Sequence, residues 1–143
     1  MSSINETDSA ARSHELLIGI MMQAKHRLIR LAGEFDVTGM QAMMVFLLKT
    51  PRPMNSFTKL FNCDASNITG LVDGLEARGL ATRFPDLHDR RIKMVKLTDE
   101  GEKLRTQFIK LLIEDKESSF YNLSANELIT FNSLLEKIAE FNV

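Results

Sequence analysis

Apolar side chains in this chain repeat at two spacings, and the switch between them outlines a fold. Leu17, Ile20, Met21, Ala24, Leu28 and Leu31 recur at the spacing of one helix face, so residues from about 8 to 33 predict a long amphipathic helix with Gly33 as its stop. Thr38 and Gln41 stand three apart at the head of a run carrying Met40, Met43, Met44, Phe46 and Leu47. That is a capping box: the hydroxyl accepts an orphan N–H and the amide reaches back to the cap. The helix it opens ends by Thr50, because Pro51 and Pro53 cannot continue it. A short helix over about Ser56–Phe61 follows, with Asn55 as its cap.

The next stretch is the most informative. Asn62 separates two helical patterns and tolerates the left-handed backbone of a tight turn. Asp64 caps a helix whose core stripe is Ile68, Leu71, Val72 and Leu75. Gly79 stops it, and Leu80 supplies the apolar contact beyond the stop. Two short helices joined by a tight turn predict a helix-turn-helix. Leu80–Phe84 and Ile92–Leu97 then read as strands. The polar run Pro85-Asp86-Leu87-His88-Asp89-Arg90-Arg91 between them reads as a hairpin loop, a wing. Thr98 caps a helix running to about Ser119, with Leu104, Phe108, Ile109, Leu111, Leu112 and Ile113 on it. Ser124 and Glu127 form a second capping box, with Leu123 and Leu128 at the staple positions and a stripe of Leu128, Phe131, Leu135 and Ile138. The order α-α-α-α-β-wing-β-α-α predicts a mainly α fold, a winged helix-turn-helix flanked by long helices from both termini.

Composition narrows the class. At 143 residues the chain fits one domain and can bury a core without metal or disulfide staples. The longest apolar runs, Leu16–Met22 and Ala42–Leu48, fall far short of the ~20 residues of a membrane span. Met1–Arg12 has no apolar core of a signal peptide, and Cys63 is the single cysteine, so a soluble, cytoplasmic protein is expected. The formal net charge of −1 argues against a nucleic-acid partner until its distribution is read. Residues 1–51 are neutral, residues 52–96 carry +3 and residues 97–143 carry −4. Such asymmetry suits a chain in which one segment meets phosphate and the rest must not.

Two places can carry the recognition. Ser66, Asn67, Gly70, Asp73 and Gly74 fall opposite the apolar stripe of helix 64–78. Small and hydrogen-bonding residues let a helix backbone come close to base edges, and Asn67 can bond adenine N6 and N7 together. Ser66 and Thr69 suit phosphate or base contacts near a helix N-terminus that itself attracts phosphate. The plain alternative is a solvated face, but two glycines cost a helix roughly 1 kcal/mol each, so they need a reason, and packing is one. The second place is the wing. Adjacent Arg90 and Arg91 at a hairpin tip suit the negative minor groove, and Asp89 can orient one of them by a bidentate pair. Beside a helix-turn-helix, double-stranded DNA is the favoured partner.

The segment DASNITGLVDGLEARGL over Asp64–Leu80, the DLHDRR wing and the KLTDEG segment resemble the MarR family of bacterial transcription regulators. The resemblance runs over nearly the whole chain. It implies a homodimer with interlocked terminal helices, a DNA-binding lobe at 37–97 and a dimerisation lobe from 8–36 and 98–143. It implies that helix Asp64–Arg78 reads the major groove, that Arg91 enters the minor groove from wing 85–91 supported by Asp89, and that Arg90 is a phosphate contact or second wing reader. The chain departs from the pattern at Gly70 and Gly74, where relatives often carry basic or larger residues, and at Asn62, where glycine is common. Half-site centres about 34–36 Å apart are expected for such a dimer.

Family members commonly bind small phenolic or other lipophilic anions, so an effector of that class is expected to release the DNA. Met21, Met22, Met40, Met43 and Met44 crowd the first two helices, where core packing is the expected role. His14, His26 and Arg30 are of a type to meet an anionic ligand, but lone residues at helical spacing read as surface residues. Cys63 is expected to be a buried small residue. His88 with Asp86 makes no convincing metal spacing, and no metal or cofactor is expected. Nucleophile–base pairs, phosphate-cradling loops and rationalised carboxylate pairs are lacking, so an enzyme is not expected. A repressor is the leading expectation. The rival is a winged-helix protein–protein module without strong DNA binding.

Overall fold

The computed structural model describes residues 6–115 and 119–139. The helices are α1 (Glu6–Glu34), α2 (Gly39–Leu47), α3 (Met54–Phe61), α4 (Ala65–Ala77), α5 (Asp99–Glu114) and α6 (Ala125–Ile138), with a 3₁₀ turn at Ser119–Asn122. The strands are β1 (Arg52–Pro53), β2 (Ala81–Pro85) and β3 (Lys93–Leu97), in the antiparallel order β1-β3-β2. The chain divides into two compact units, Met1–Leu111 and Leu112–Val143. The mainly helical winged helix-turn-helix is therefore as the hydrophobic pattern predicts.

Its joints are made by three turns of one kind. After α1, α3 and α4 the chain passes through a single left-handed residue: Asp36 (φ 55), Asn62 (φ 48) and Gly79 (φ 68). Each time the N–H beyond it reaches back five residues: Val37 to Ala32, Cys63 to Thr58 and Leu80 to Leu75. These are Schellman stops, which satisfy orphan carbonyls and turn the chain sharply. Asn62 and Gly79 do what their residue types predict. Gly33 does not: it lies within α1, and Asp36 makes the turn three residues later. Asp can take that backbone because its short polar side chain tolerates it.

Helix starts follow their caps. Thr38 with Gln41 and Ser124 with Glu127 form complete capping boxes. Asp64 caps α4 by accepting the Asn67 N–H, and the Thr98 hydroxyl accepts the Gly101 N–H at the start of α5. Asn55 is not a cap. α3 begins two residues earlier than expected, at Met54 after Pro53, whose extended backbone (φ −61, ψ 136) starts the helix without a side-chain bond. The same proline ends β1, a two-residue pairing (Arg52↔Val95, Pro53↔Met94) too short for a period-two pattern to announce. Proline fits there because β1 is an edge strand. In the hairpin, Ala81↔Leu97 through Pro85↔Lys93 pair, which leaves Leu80 and Ile92 just outside the ladder. α5 stops at Glu114, short of the expected Ser119; residues 116–118 lie outside the described residues, and Ser119 opens the 3₁₀ turn.

The core of the first unit is built from Met44, Val45, Leu48, Phe57, Ile68, Val72, Leu75 and Val95, all fully buried. α4 packs against α2, α3 and β2. Of the five methionines in α1 and α2, Met44 alone is core; Met43 is half-buried, and Met21, Met22 and Met40 are exposed. α1 presents Leu16, Leu17, Ile18, Met21 and Met22 to solvent. On α5, Phe108 is buried, while Ile113 is 70% exposed. α6 has no buried residue, although Phe120 and Phe131 stack at 5.8 Å within the second unit. Among the described residues no helix is long and apolar enough to cross a membrane.

Glycine at 101 explains the LTDEG segment. A Cβ there would run into the Leu80 carbonyl oxygen, with Leu97 Cβ at 3.1 Å. Thr98 reinforces this junction by donating its hydroxyl to the Gly79 carbonyl at 2.5 Å, and its N–H to Leu80 at 3.1 Å. A Cβ at Gly70 meets nothing within 4 Å. Gly101→Ala should therefore cost about 1–3 kcal/mol through forced backbone movement. Gly70→Ala should instead gain up to about 1 kcal/mol of helix propensity. Thermal melts followed by circular dichroism should move in opposite directions for the two variants.

Candidate nucleic-acid interface

The candidate face on α4 follows from burial of the opposite one. With Ile68, Val72 and Leu75 sealed inside, Ser66, Asn67, Thr69, Gly70 and Asp73 turn outward on α4. Asp64 organises the first turn: its Oδ1 accepts the Asn67 N–H at 2.9 Å and the Ser66 hydroxyl at 2.8 Å. These bonds hold the Asp64 carboxyl below the usual carboxylate range, the Asn67 N–H contributing most. The Thr69 hydroxyl donates to the Ala65 carbonyl at 2.9 Å. The Asn67 side-chain amide stands exposed, with no partner among the described residues.

Gly74 belongs elsewhere. It is half-buried, and a Cβ there would strike Nε2 of Gln41, the residue that closes the α2 capping box. Its absence of side chain serves helix packing, whereas Gly70 opens onto solvent. Asp73 is exposed but engaged: it pairs with Arg83 of β2, whose guanidinium also binds Glu76 at 2.5 Å. The Arg83 N–H adds a bond to Glu76 at 2.8 Å. Two carboxylates of α4 thus clamp the base of the wing. Arg83 holds the Glu76 carboxyl below its ordinary range, and Glu76, then Asp73, raise the Arg83 guanidinium. No spacing rule predicts this cluster, because its members meet only once β2 folds back along α4.

The wing tip is tied by two aspartates. Asp86 Oδ2 accepts the N–H groups of His88 and Asp89, each at 3.0 Å. The expected Asp86–His88 pair is therefore a turn contact. Asp89 takes Arg91 in a fork: Nε to Oδ1 at 3.0 Å and Nη2 to Oδ2 at 2.9 Å, with the Arg91 N–H on Oδ1 at 3.1 Å. The guanidinium depresses the Asp89 pKa, and the carboxylate raises that of Arg91. The arginine that Asp89 orients is thus Arg91, whose side chain remains 91% exposed. Arg90 is exposed beside it.

A groove of about 290 Å³ is lined by Thr58 of α3, Ala65 and Thr69 of α4, and Arg91 and Lys93 of the wing. One cleft thereby joins the start of α4 to the wing arginine. A second groove, about 420 Å³, is lined by Met40, Cys63, Ser66, Asn67, Gly70 and Leu71. Cys63 is half-buried there, not sealed in the core as expected: it follows the left-handed Asn62 at a turn. Among the described residues no three His, Cys, Asp or Glu side chains gather to hold a metal. His14 and His26 are exposed on α1, and His14 Nδ1 lies 2.9 Å from the Ala10 carbonyl.

The basic middle of the chain is partly structural. Arg52 donates to the Leu47 carbonyl at 3.1 Å, and Arg78 to the carbonyls of Phe35 and Asp36. Arg83 is held by its two carboxylates, and Lys96 lies 5.3 Å from the centre of the Phe84 ring. Lys59, Arg90, Arg91 and Lys93 are the exposed cations that remain from that segment.

Comparison with known proteins places this geometry. No family model matches the chain. The chain is 28% identical over 126 residues to the multiple antibiotic resistance protein MarR of Escherichia coli, covering 85% of this chain and 88% of that one. It is 30% identical over 107 residues to the transcriptional repressor NicR of Pseudomonas putida, covering 73% and 68%. The chain belongs to the MarR family of transcription regulators. The fold agrees: a crystal structure of a MarR mutant of E. coli complexed with operator DNA superposes with a TM-score of 0.65 at 23% identity, over 94% of this chain and 98% of that one.

The clamp makes a pH prediction. A depressed carboxylate contributes stability that is present above its unfolded pKa and lost as pH falls through the folded one. Glu76→Gln should lower the melting temperature by about 1–4 °C near pH 7. The gap from wild type should close once the pH drops well below about 4. A pH series of thermal melts on both proteins measures it.

Proposed function

We propose that this MarR-family member is a dimeric, sequence-specific DNA-binding regulator, a repressor. Helix 64–78 reads the major groove and wing 85–91 the minor groove. Lobe 37–97 does the reading, and residues 8–36 and 98–143 form the dimerisation lobe. The observation that carries this reading is the shared cleft: Thr69 of α4 and Asp89-held Arg91 of the wing line one groove. A phosphodiester strand passing along it would put Asn67 and Gly70 at base edges while Arg91 reaches the next minor groove. Ser66, Thr69 and Arg90 are assigned to phosphate or base contacts, Asp89 to wing support. Asp73, held by Arg83, acts at the edge of that face.

The apolar rows of α1 support the dimer. Leu16, Leu17, Ile18, Met21 and Met22 are a liability in a lone chain and a natural seam for a second copy. Repression is favoured by NicR, whose name is that of a repressor. The groove beside Met40, Cys63 and Leu71 shares Ser66, Asn67 and Gly70 with the reading face. A small lipophilic or phenolic effector seated there would exclude DNA.

Selection of fragments from random double-stranded DNA should enrich an inverted repeat, and binding to it should weaken steeply with salt. Asn67→Ala should cost about 1–3 kcal/mol, roughly 5- to 150-fold in affinity, and relax preference at one position per half-site. Arg91→Ala should weaken binding across sequences. Failure to retard any fragment at low salt, beside a stable complex with another protein, would favour a protein-interaction module. Sedimentation should give a two-chain species that Leu17→Glu shifts toward monomer; a stable wild-type monomer removes the dimer from the proposal.

A further inference from the structure

A reading helix is useful in a dimer only if its distance from the dimer seam is set. One side chain ties α4 to the end of the helix that carries the proposed seam. Arg78, at the C-terminal cap of α4, points its guanidinium at the end of α1: Nη2 donates to the Phe35 carbonyl at 2.9 Å, and Nη1 donates to the Asp36 carbonyl. The Schellman turn that ends α1 uses the carbonyls of Ala32 and Gly33, so those of Phe35 and Asp36 are open to a donor from outside. They lie at the negative end of the α1 dipole, which favours a cation. The anchor is itself firm, since the Phe35 ring packs edge-on against Phe108 of α5 at 6.1 Å and Val37 beside it is buried. A second contact lies further up α4, where Gly74 meets Gln41 of α2. Two points of attachment fix the tilt of a rod. The guanidinium is suited to the task because its planar fork engages two acceptors at once, whereas an ammonium is a point charge.

We infer that Arg78 is a positioning residue for DNA reading: by tying the end of α4 to the end of α1, it sets the spacing of the two half-sites. The inference rests on the dimeric, two-half-site reading above. Arg78 stands eleven residues beyond Asn67, about 16 Å along the helix axis, so it works away from the base-reading end. The strut acts on geometry between copies, and the sequence read within each half-site is left to Asn67 and its neighbours.

The test is selection from random double-stranded DNA, run in parallel on the full-length wild type, Arg78→Ala and Arg78→Lys. The wild type should enrich an inverted repeat with one spacing. Arg78→Ala should enrich the same half-site with spacings spread over at least one base pair to either side, about 3.4 Å of helix rise per step. Arg78→Lys should fall between them and covers the case in which the alanine variant does not fold. Identical sharp spacing in a folded variant overturns the inference while leaving the DNA-binding reading intact. A changed half-site sequence overturns it too, because Arg78 would then be a direct DNA contact. A wild type that enriches no repeat removes the two-half-site reading itself, and the inference with it.

Discussion

Burial of Ile68, Val72 and Leu75 along one side of α4 decides where everything functional points. Each such side chain contributes about 1.5–3 kcal/mol when taken out of water. That sum is large beside the net stability of a domain, so the rotation of the helix about its axis is not negotiable. A period of 3.6 residues then turns Ser66, Asn67, Gly70 and Asp73 outward with no further instruction. The proposed reading face is what the core leaves over, and its small residues govern how near the backbone can come to another surface.

Much of this is legible from the chain because the signals are local. Thr38 with Gln41, Asp64 and Ser124 with Glu127 act within one helical turn of themselves, and the structure uses each as a cap. Asn62 and Gly79 turn the backbone where it has to bend left-handed. What escapes is whatever depends on the path of a distant segment. β1 exists because Arg52 and Pro53 lie beside β3, and nothing in two residues says so. Gly74 looks like Gly70 on a helical wheel, yet the first faces Gln41 and the second faces solvent. Asp36 displaces Gly33 as the turn because packing after α1 extends the helix past the glycine, and propensity yields to tertiary context.

Charge shows the same division. Counting cations over residues 52–96 marks the segment correctly but misjudges its members. Arg52 and Arg78 donate to backbone carbonyls at helix ends, and Arg83 fastens the wing base to α4. Such arginines act as struts, a use that the planar guanidinium serves better than lysine. The cations left exposed are few, so a nonspecific electrostatic grip on phosphate is correspondingly modest. In the proposed function, discrimination among sequences would then fall to short-range contacts at the α4 face and to the shape of the minor groove.

The wing shows how an exposed element is held in one geometry without being buried. Arg91 is almost wholly in solvent, where a long side chain would ordinarily sample many rotamers. Asp89 restricts it through two parallel bonds, and Asp86 closes the turn beneath through two backbone N–H groups. An exposed ion pair contributes little to folding. Its consequence lies in binding, where rotamer freedom lost in advance is not lost again on contact. Asp86 and Asp89 also balance the formal charge of Arg90 and Arg91, so the tip gives up long-range attraction for a preset direction. If the wing enters a minor groove as proposed, such a preset arginine would favour a groove of matching width over any nearby polyanion, which suits a chain whose net charge is already slightly negative.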